Sequence, residues 1–321
     1  MKNISYIVCD NGLGHVRRSY LIASKLSSRF KVNLFCSKNK FKTISSIYNK
    51  KINVGNIDLG FNLNYQNLKK NEYRQKLINA IRGMKTDYII SDNLIFPIKL
   101  EYKSILIANF LWEEIEENSF SDSFYEEVND KLVLGSEIFS TPGVKGFSRY
   151  TPTAMIGNSP KYPTQDEDCI LISGGSTEVL NIKLKKLINK LNTSQLNNIS
   201  KIYIDKQLYD PKLNKKFEIA DYSNEMFNKI FLGVIRPGLG IVSELLQRGK
   251  TIFSLDLENN FEILNNNKAL KRNNLGRVFK SIDGNLFNEL KSIDRKDNSK
   301  YSVVNFDGVD QVFIKVCEEF D

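Results

Sequence analysis

Histidine is almost absent from this chain: 321 residues contain one, His15. That scarcity excludes His-rich zinc sites and any mechanism built on a pair of histidines. Long apolar runs are also missing. None approaches the roughly 18 residues that a spanning helix needs. The first ten residues place Asp10 after a very short apolar stretch, which predicts a strand start and not a signal peptide. Cysteine is sparse, with Cys9, Cys36, Cys169 and Cys317 far apart and without CxxC spacing. Free, buried thiols in a reducing cytoplasm fit that pattern better than metal ligation. What remains, 41% apolar residues in a 36.9 kDa chain, suits a globular protein of about two domains.

The formal charge of +9 is unevenly spread. Residues 1–100 carry 18 Lys and Arg against 5 Asp and Glu, residues 101–150 carry 4 against 10, and the remainder is nearly balanced. A basic first third suits an anionic membrane surface or a phosphorylated substrate. Solvated lysines in a Lys- and Asn-rich chain account for it equally well. The lysines are not interleaved with aromatics in a recognisable pattern, so nucleic acid is not an expected partner. The acidic stretch 113–117 reads as an exposed helix face.

Short β-branched runs alternate with amphipathic stretches, the βαβ signature of parallel sheets covered by helices. Strands are expected at Ser5–Cys9, Val32–Cys36, Tyr88–Ser91 and Ser104–Ala108, with helices near 16–29, 40–50 and 72–84. Four of the seven prolines fall between 142 and 163, and a domain boundary is placed near 160. The expected domains are 1–160 and 161–321, the last helix returning toward the first. In the second half, strands at 169–173, 201–205, 231–235 and 251–255 alternate with helices at 178–191, 223–230, 241–248, 262–274 and 308–320.

Three glycine loops follow predicted strands. Asn11-Gly12-Leu13-Gly14-His15-Val16-Arg17-Arg18 would let the backbone approach a ligand at a helix N-terminus. A dinucleotide fingerprint would need glycine at Arg17 and an acid after the second strand, where Ser37-Lys38 stands, so NAD and FAD are disfavoured. Ser173-Gly174-Gly175-Ser176 could form a phosphate nest but lacks the lysine of a Walker loop. In Arg236-Pro237-Gly238-Leu239-Gly240-Ile241-Val242-Ser243-Glu244, the helix N-terminus and Arg236 favour an anion, and Glu244 could reach a ribose diol.

Together these loops resemble the motifs of the MurG-type N-acetylglucosaminyltransferases and related family 28 glycosyltransferases. Gly12–Arg17 is similar to their GxGHxxR loop and Ser173–Ser176 to their GGS loop. Arg236–Gly240 with Ser243-Glu244 resembles their donor motif, with Ile241 where Thr is usual. The run 305–310 resembles their closing helix. The resemblance implies a GT-B fold, two Rossmann-like doubly wound α/β domains facing across a cleft. It implies a nucleotide-sugar donor on the C-terminal side, UDP-linked and hexosyl or N-acetylhexosaminyl, and a glycan or lipid-linked cell-envelope acceptor on the N-terminal side.

By the same resemblance, Gly238 to Gly240 and Ser176 would hold the diphosphate and Glu244 the ribose. Glu262 lies where sugar contacts are placed, in a degraded Glu262–Asn267 pattern. His15 is the candidate base, because imidazole with an ordinary pKa near 6.5 can take a proton from a hydroxyl at neutral pH. Asp10 could orient the ring or act as base, and Asp92 is a second strand-end carboxylate. No metal and no cofactor is expected, and inverting chemistry would follow from one base opposite the departing diphosphate. Asp166-Glu167-Asp168 matches a metal-binding Asp-x-Asp by letters but reads as a solvated linker. A cytoplasmic location is expected, with peripheral docking on the inner face of the membrane. Two rivals stand beside transfer: a hydrolase resembling the nucleotide-sugar hydrolase of pseudaminic acid synthesis, and a non-catalytic nucleotide-sugar-binding subunit.

Overall fold

A computed structural model describes residues 1–48, 53–116, 126–157, 168–175, 177–194, 198–282, 285–293 and 304–321. The chain divides into two units, Met1–Asn158 with Asn305–Asp321, and Ser159–Val304.

The first unit is built on a seven-stranded sheet. Its strands are β1 (Asn3–Val8), β2 (Lys31–Phe35), β3 (Val54–Ile57), β4 (Tyr88–Asp92), β5 (Lys103–Ile107), β6 (Leu132–Ser136) and β7 (Tyr150–Thr153). Spatial order is β3-β2-β1-β4-β5-β6-β7 and every pairing is parallel. The helices are α1 (Leu13–Leu26), α2 (Lys38–Tyr48), α3 (Tyr65–Leu68), α4 (Asn71–Gly83), α5 (Trp112–Glu116) and α6 (Pro142–Lys145). Strands such as β1 and β6 are apolar on both faces because helices cover the sheet on both sides. One side of α1 buries Val16, Tyr20, Ala23 and Leu26, the spacing that drives a helix onto a sheet.

The second unit repeats the logic with six strands: β8 (Cys169–Ser173), β9 (Lys201–Ile204), β10 (Phe217–Ile219), β11 (Ile230–Ile235), β12 (Thr251–Leu255) and β13 (Arg277–Phe279). Their order is β10-β9-β8-β11-β12-β13, again all parallel. Its helices are α7 (Glu178–Asn192), α8 (Asn224–Lys229), α9 (Leu239–Leu246), α10 (Phe261–Arg272) and α11 (Asn285–Ser292). The last helix, α12 (Gly308–Phe320), packs in the first unit. Val312, Val316, Cys317 and Phe320 join its core, and the Phe320 ring stacks on Tyr88 at 4.2 Å. Only glycine fits at the helix start, since a Cβ on Gly308 would lie 2.4 Å from the Ala154 carbonyl oxygen.

Both sheets are doubly wound, as expected. The strands β3, β6, β7, β10 and β13 were not anticipated. Several are short, and β3, with Gly55 and Asn56, lacks an apolar pattern. All four cysteines are buried, and no disulfide joins them. The acidic stretch is not wholly a solvent face. Glu114 is buried, accepting hydrogen bonds from Thr141 Oγ1 at 2.5 Å and from the Gly143 N–H at 3.1 Å at the start of α6. Residues 166 and 167 lie outside the described residues.

Candidate active site

In an open parallel sheet, ligands bind beyond the carboxyl ends of the strands where the winding direction reverses. In the first unit that point lies between β1 and β4, whose register sets Val8 beside Asp92. Beyond β1 runs the first glycine loop. Gly12 caps α1 with φ 106° and ψ 174°, a conformation restricted to glycine, and a Cβ there would meet nothing within 4 Å. No side chain caps the helix, so its first amide groups stay available beside Gly12 and Gly14.

One turn into α1, the His15 Nδ1–H donates to Asp92 Oδ1 at 2.6 Å. The hydrogen is assigned to Nδ1 because a lone pair there would face a carboxylate oxygen at that distance. The Nε2 atom then carries the lone pair. The ring is 15% exposed, and its edge meets Phe110 at 6.0 Å between centroids. The second carboxylate oxygen, Asp92 Oδ2, accepts from Arg18 Nε at 2.7 Å and from Ser19 Oγ at 3.1 Å. Arg18 Nη2 lies 3.3 Å from His15 Nδ1 and donates to Asn93 Oδ1 at 3.1 Å. Asn93 itself adopts φ 55°, a left-handed conformation that asparagine tolerates.

Asp92 is fully buried. Burial alone would raise its carboxyl pKa, but the Arg18 guanidinium and His15, through charge and hydrogen bonds, outweigh that and hold it at about 2. The neighbouring groups on β1 and just beyond it stay neutral. Burial, reinforced by the Asp92 charge, lifts the Cys9 thiol to about 12 and the Tyr6 phenol above its ordinary range.

Two expectations in this loop change. Asp10 does not orient the imidazole; its carboxylate turns to Lys40 at 2.9 Å and accepts from the Ser37 N–H at 3.3 Å. Arg17 is not the arginine of the site either. Its guanidinium lies over the Tyr48 ring at 5.3 Å, while Arg18, one position on, reaches Asp92. His15 and Arg18 are three residues apart and share a helix face, a spacing that was readable in the sequence.

The corresponding point of the second unit lies between β8 and β11. Here the expected phosphate nest already holds an anion. Asp205, just after β9, is buried, and its Oδ2 accepts from the Gly174 N–H at 2.9 Å, the Gly175 N–H at 3.1 Å and Ser173 Oγ at 3.2 Å. Gln207 Nε2 adds a contact at 3.3 Å, and the Tyr222 hydroxyl donates to Oδ1. Gly174 and Gly175 therefore spend these amides on an internal carboxylate. Ser176 lies outside the described residues. Arg236 leaves the end of β11 and pairs with Glu258 Oε1 at 2.6 Å. Its backbone N–H donates to the Ser173 carbonyl at 2.9 Å, tying the two loops together.

Glu244 differs most from expectation. It is buried and paired with Arg248 Nη1 at 2.6 Å, one turn along, while Arg248 also donates to Asn224 and Asn228. That carboxylate serves the interior of the second unit and is not presented to a ribose. Ser243 is half-buried beside it on α9. The N-terminus of α9 keeps its anion-binding character. Gly238 caps it in an extended conformation with no side-chain hydrogen bond, and Gly240 stands in its first turn. The loop before it is held from α10, where Asn266 Nδ2 donates to the Pro237 carbonyl at 2.8 Å. Ser254 Oγ donates to Asn267 Oδ1 at 2.6 Å. In this run, expected to be a degraded sugar motif, Asn266 fastens the loop before α9 and Asn267 fastens the end of β12. Glu262 lies in the first turn of α10, behind the Asn260 cap. Among the described residues no three His, Cys, Asp or Glu side chains cluster as metal ligands.

No family model and no curated protein matches the chain. Solved structures do. A glycotransferase of kitacinnamycin aligns over 99% of this chain and 98% of its own, at 13% identity and a TM-score of 0.63. MurG of Acinetobacter baumannii covers 99% and 100%, at 14% identity and 0.61. The spinosyn rhamnosyltransferase SpnG complexed with thymidine diphosphate covers 100% and 96%, at 11% identity and 0.56. Likeness of this extent across both units establishes the two-domain α/β fold of the GT-B class.

Proposed function

We propose that this chain transfers a sugar from a nucleotide-sugar donor to an acceptor hydroxyl. The observation that carries the reading is the His15–Asp92 hydrogen bond of 2.6 Å, which leaves Nε2 as a base beside a glycine-opened helix N-terminus. Nε2 takes the acceptor proton, and Asp92 stabilises the imidazolium that forms. The freed oxygen bonds to the anomeric carbon while the bond from that carbon to the phosphate oxygen breaks. The nucleoside diphosphate departs with the electron pair. Attack opposite the leaving group inverts the anomeric centre.

The donor belongs to the second unit. There the uncapped N-terminus of α9 supplies amides and dipole to the leaving phosphates, without calling on a metal. The reading gains support from the fold shared with glycosyltransferases, one of them complexed with thymidine diphosphate. We assign a UDP-linked hexose or N-acetylhexosamine as donor and a glycan precursor, lipid-linked in the cell envelope, as acceptor. Among the described residues no helix is long and apolar enough to cross a membrane. The basic first hundred residues suit docking on anionic lipid at the inner face of the membrane.

A thermal-shift screen against UDP-, GDP-, CMP- and dTDP-sugars, followed by assay of nucleotide release with and without acceptor, tests this. Donor binding and acceptor-dependent release support transfer. Release at the same enzymatic rate without acceptor identifies a hydrolase, and binding without turnover a non-catalytic subunit.

A further inference from the structure

We propose that Arg18 is a positioning residue for His15, fixing the Asp92 carboxylate that holds the imidazole and setting a permanent positive charge 3.3 Å from its Nδ1. Asp92 has two oxygens with separate duties: Oδ1 takes the imidazole N–H, and Oδ2 takes Arg18 Nε and Ser19 Oγ. A carboxylate held through both oxygens cannot rotate, so the imidazole it orients cannot swing either. The planar guanidinium suits this task because one edge donates to Asp92 while another nitrogen donates to Asn93.

Arg18 also acts directly. Its Nη2 is 3.3 Å from Nδ1, so a protonated ring would stand beside a cation that is only 13% exposed. One buried anion, Asp92, then serves both the fixed Arg18 cation and the imidazole, and a positive charge gained by the ring is repelled by Arg18. The other groups around the ring do not alter this balance. Phe110 packs at a steep angle and carries no charge, Ser19 and Asn93 carry none either, and Tyr6 on β1 and Cys9 just beyond it are kept neutral by burial. A proton taken up at Nε2 therefore adds a positive charge beside Arg18, with the Asp92 carboxylate bonded to both.

The inference rests on His15 acting as the base, but its test needs no substrate. Because His15 is the sole histidine, ring-15N labelling of the full chain gives one set of imidazole signals. The neutral wild-type ring should carry its proton on Nδ1. In Arg18→Gln the ring should charge at a pH higher by about one unit or more, a tenfold gain in proton affinity. The acid limb of the transfer rate should move with it. If the R18Q signal titrates within about 0.3 unit of wild type while the melting temperature falls, Arg18 is merely structural and the proposal is overturned. Arg18→Lys keeps the charge and loses the fork. It should titrate with wild type yet transfer at least about tenfold more slowly. This variant decides the matter if R18Q does not fold: a wild-type rate removes the positioning role, and an upward-shifted titration removes the charge role. Absence of transfer in wild type, with the NMR shifts as expected, would refute the proposed function and not the role of Arg18.

Discussion

His15 and Asp92 are 77 positions apart in sequence, yet a 2.6 Å hydrogen bond joins them at the winding reversal of the first sheet. The bond exists because β1 and β4 pair in parallel with Val8 beside Asp92, bringing the end of β4 under the first turn of α1.

Asp92 makes stability depend on acid. Its pKa is lowered on folding to about 2, so its contribution is complete above the unfolded carboxylate range near 4 and fades as pH falls through 2. The contribution is about 2 kcal/mol at neutral pH. Urea midpoints measured from pH 6 to pH 2 should show that loss in wild type. Asp92→Asn should lack this component and be less stable by about 3 kcal/mol at pH 7, because the half-buried Arg18 is left without its anion.

Gly12 is required by the backbone and not by space. With φ at 106° and open surroundings, Gly12→Ala strains the loop without a clash. The expected cost is about 1–3 kcal/mol. Donor binding in the second unit should be unchanged, whereas transfer should fall as the start of α1 shifts. A melt, a donor-binding isotherm and an initial rate check the three parts.

Asp205 holds the second glycine loop closed on itself. Asp205→Ala leaves the Gly174 and Gly175 amides without their acceptor, at an expected cost of about 2–4 kcal/mol. Asp205→Asn keeps one accepting oxygen and should lose less. Amide hydrogen exchange at 174 and 175 should accelerate in the alanine variant well before the β8 core exchanges. Protection in the alanine variant equal to that of wild type would mean that the carboxylate does not organise the loop.

Much of the fold was legible because parallel strands covered on both sides must be apolar throughout, and β8 and β12 fall where that pattern predicts. The glycine loops were legible for the same reason, since punctuation between strand and helix is local. Partnerships were not. Whether Glu244 faces a ligand or Arg248 depends on which side of α9 is buried, and the apolar Ile241, Val242, Leu245 and Leu246 leave that open. Asp205 was missed because it stands 31 positions beyond Gly174, outside the loop that it holds. An acid following the second strand of a doubly wound sheet was a signal at hand. Arg18 was obscured by its neighbour Arg17, although the seven-position GxGHxxR spacing counted from Gly12 ends on Arg18 and positions 15 and 18 share a helix face.

The central claim is that His15 removes the acceptor proton. His15→Gln keeps a side chain of similar size with no base, so nucleotide-sugar binding measured by calorimetry should stay within about threefold of wild type. The single-turnover rate of sugar transfer should fall by about a hundredfold or more. Transfer at the wild-type rate by a H15Q protein that binds donor normally would contradict the account.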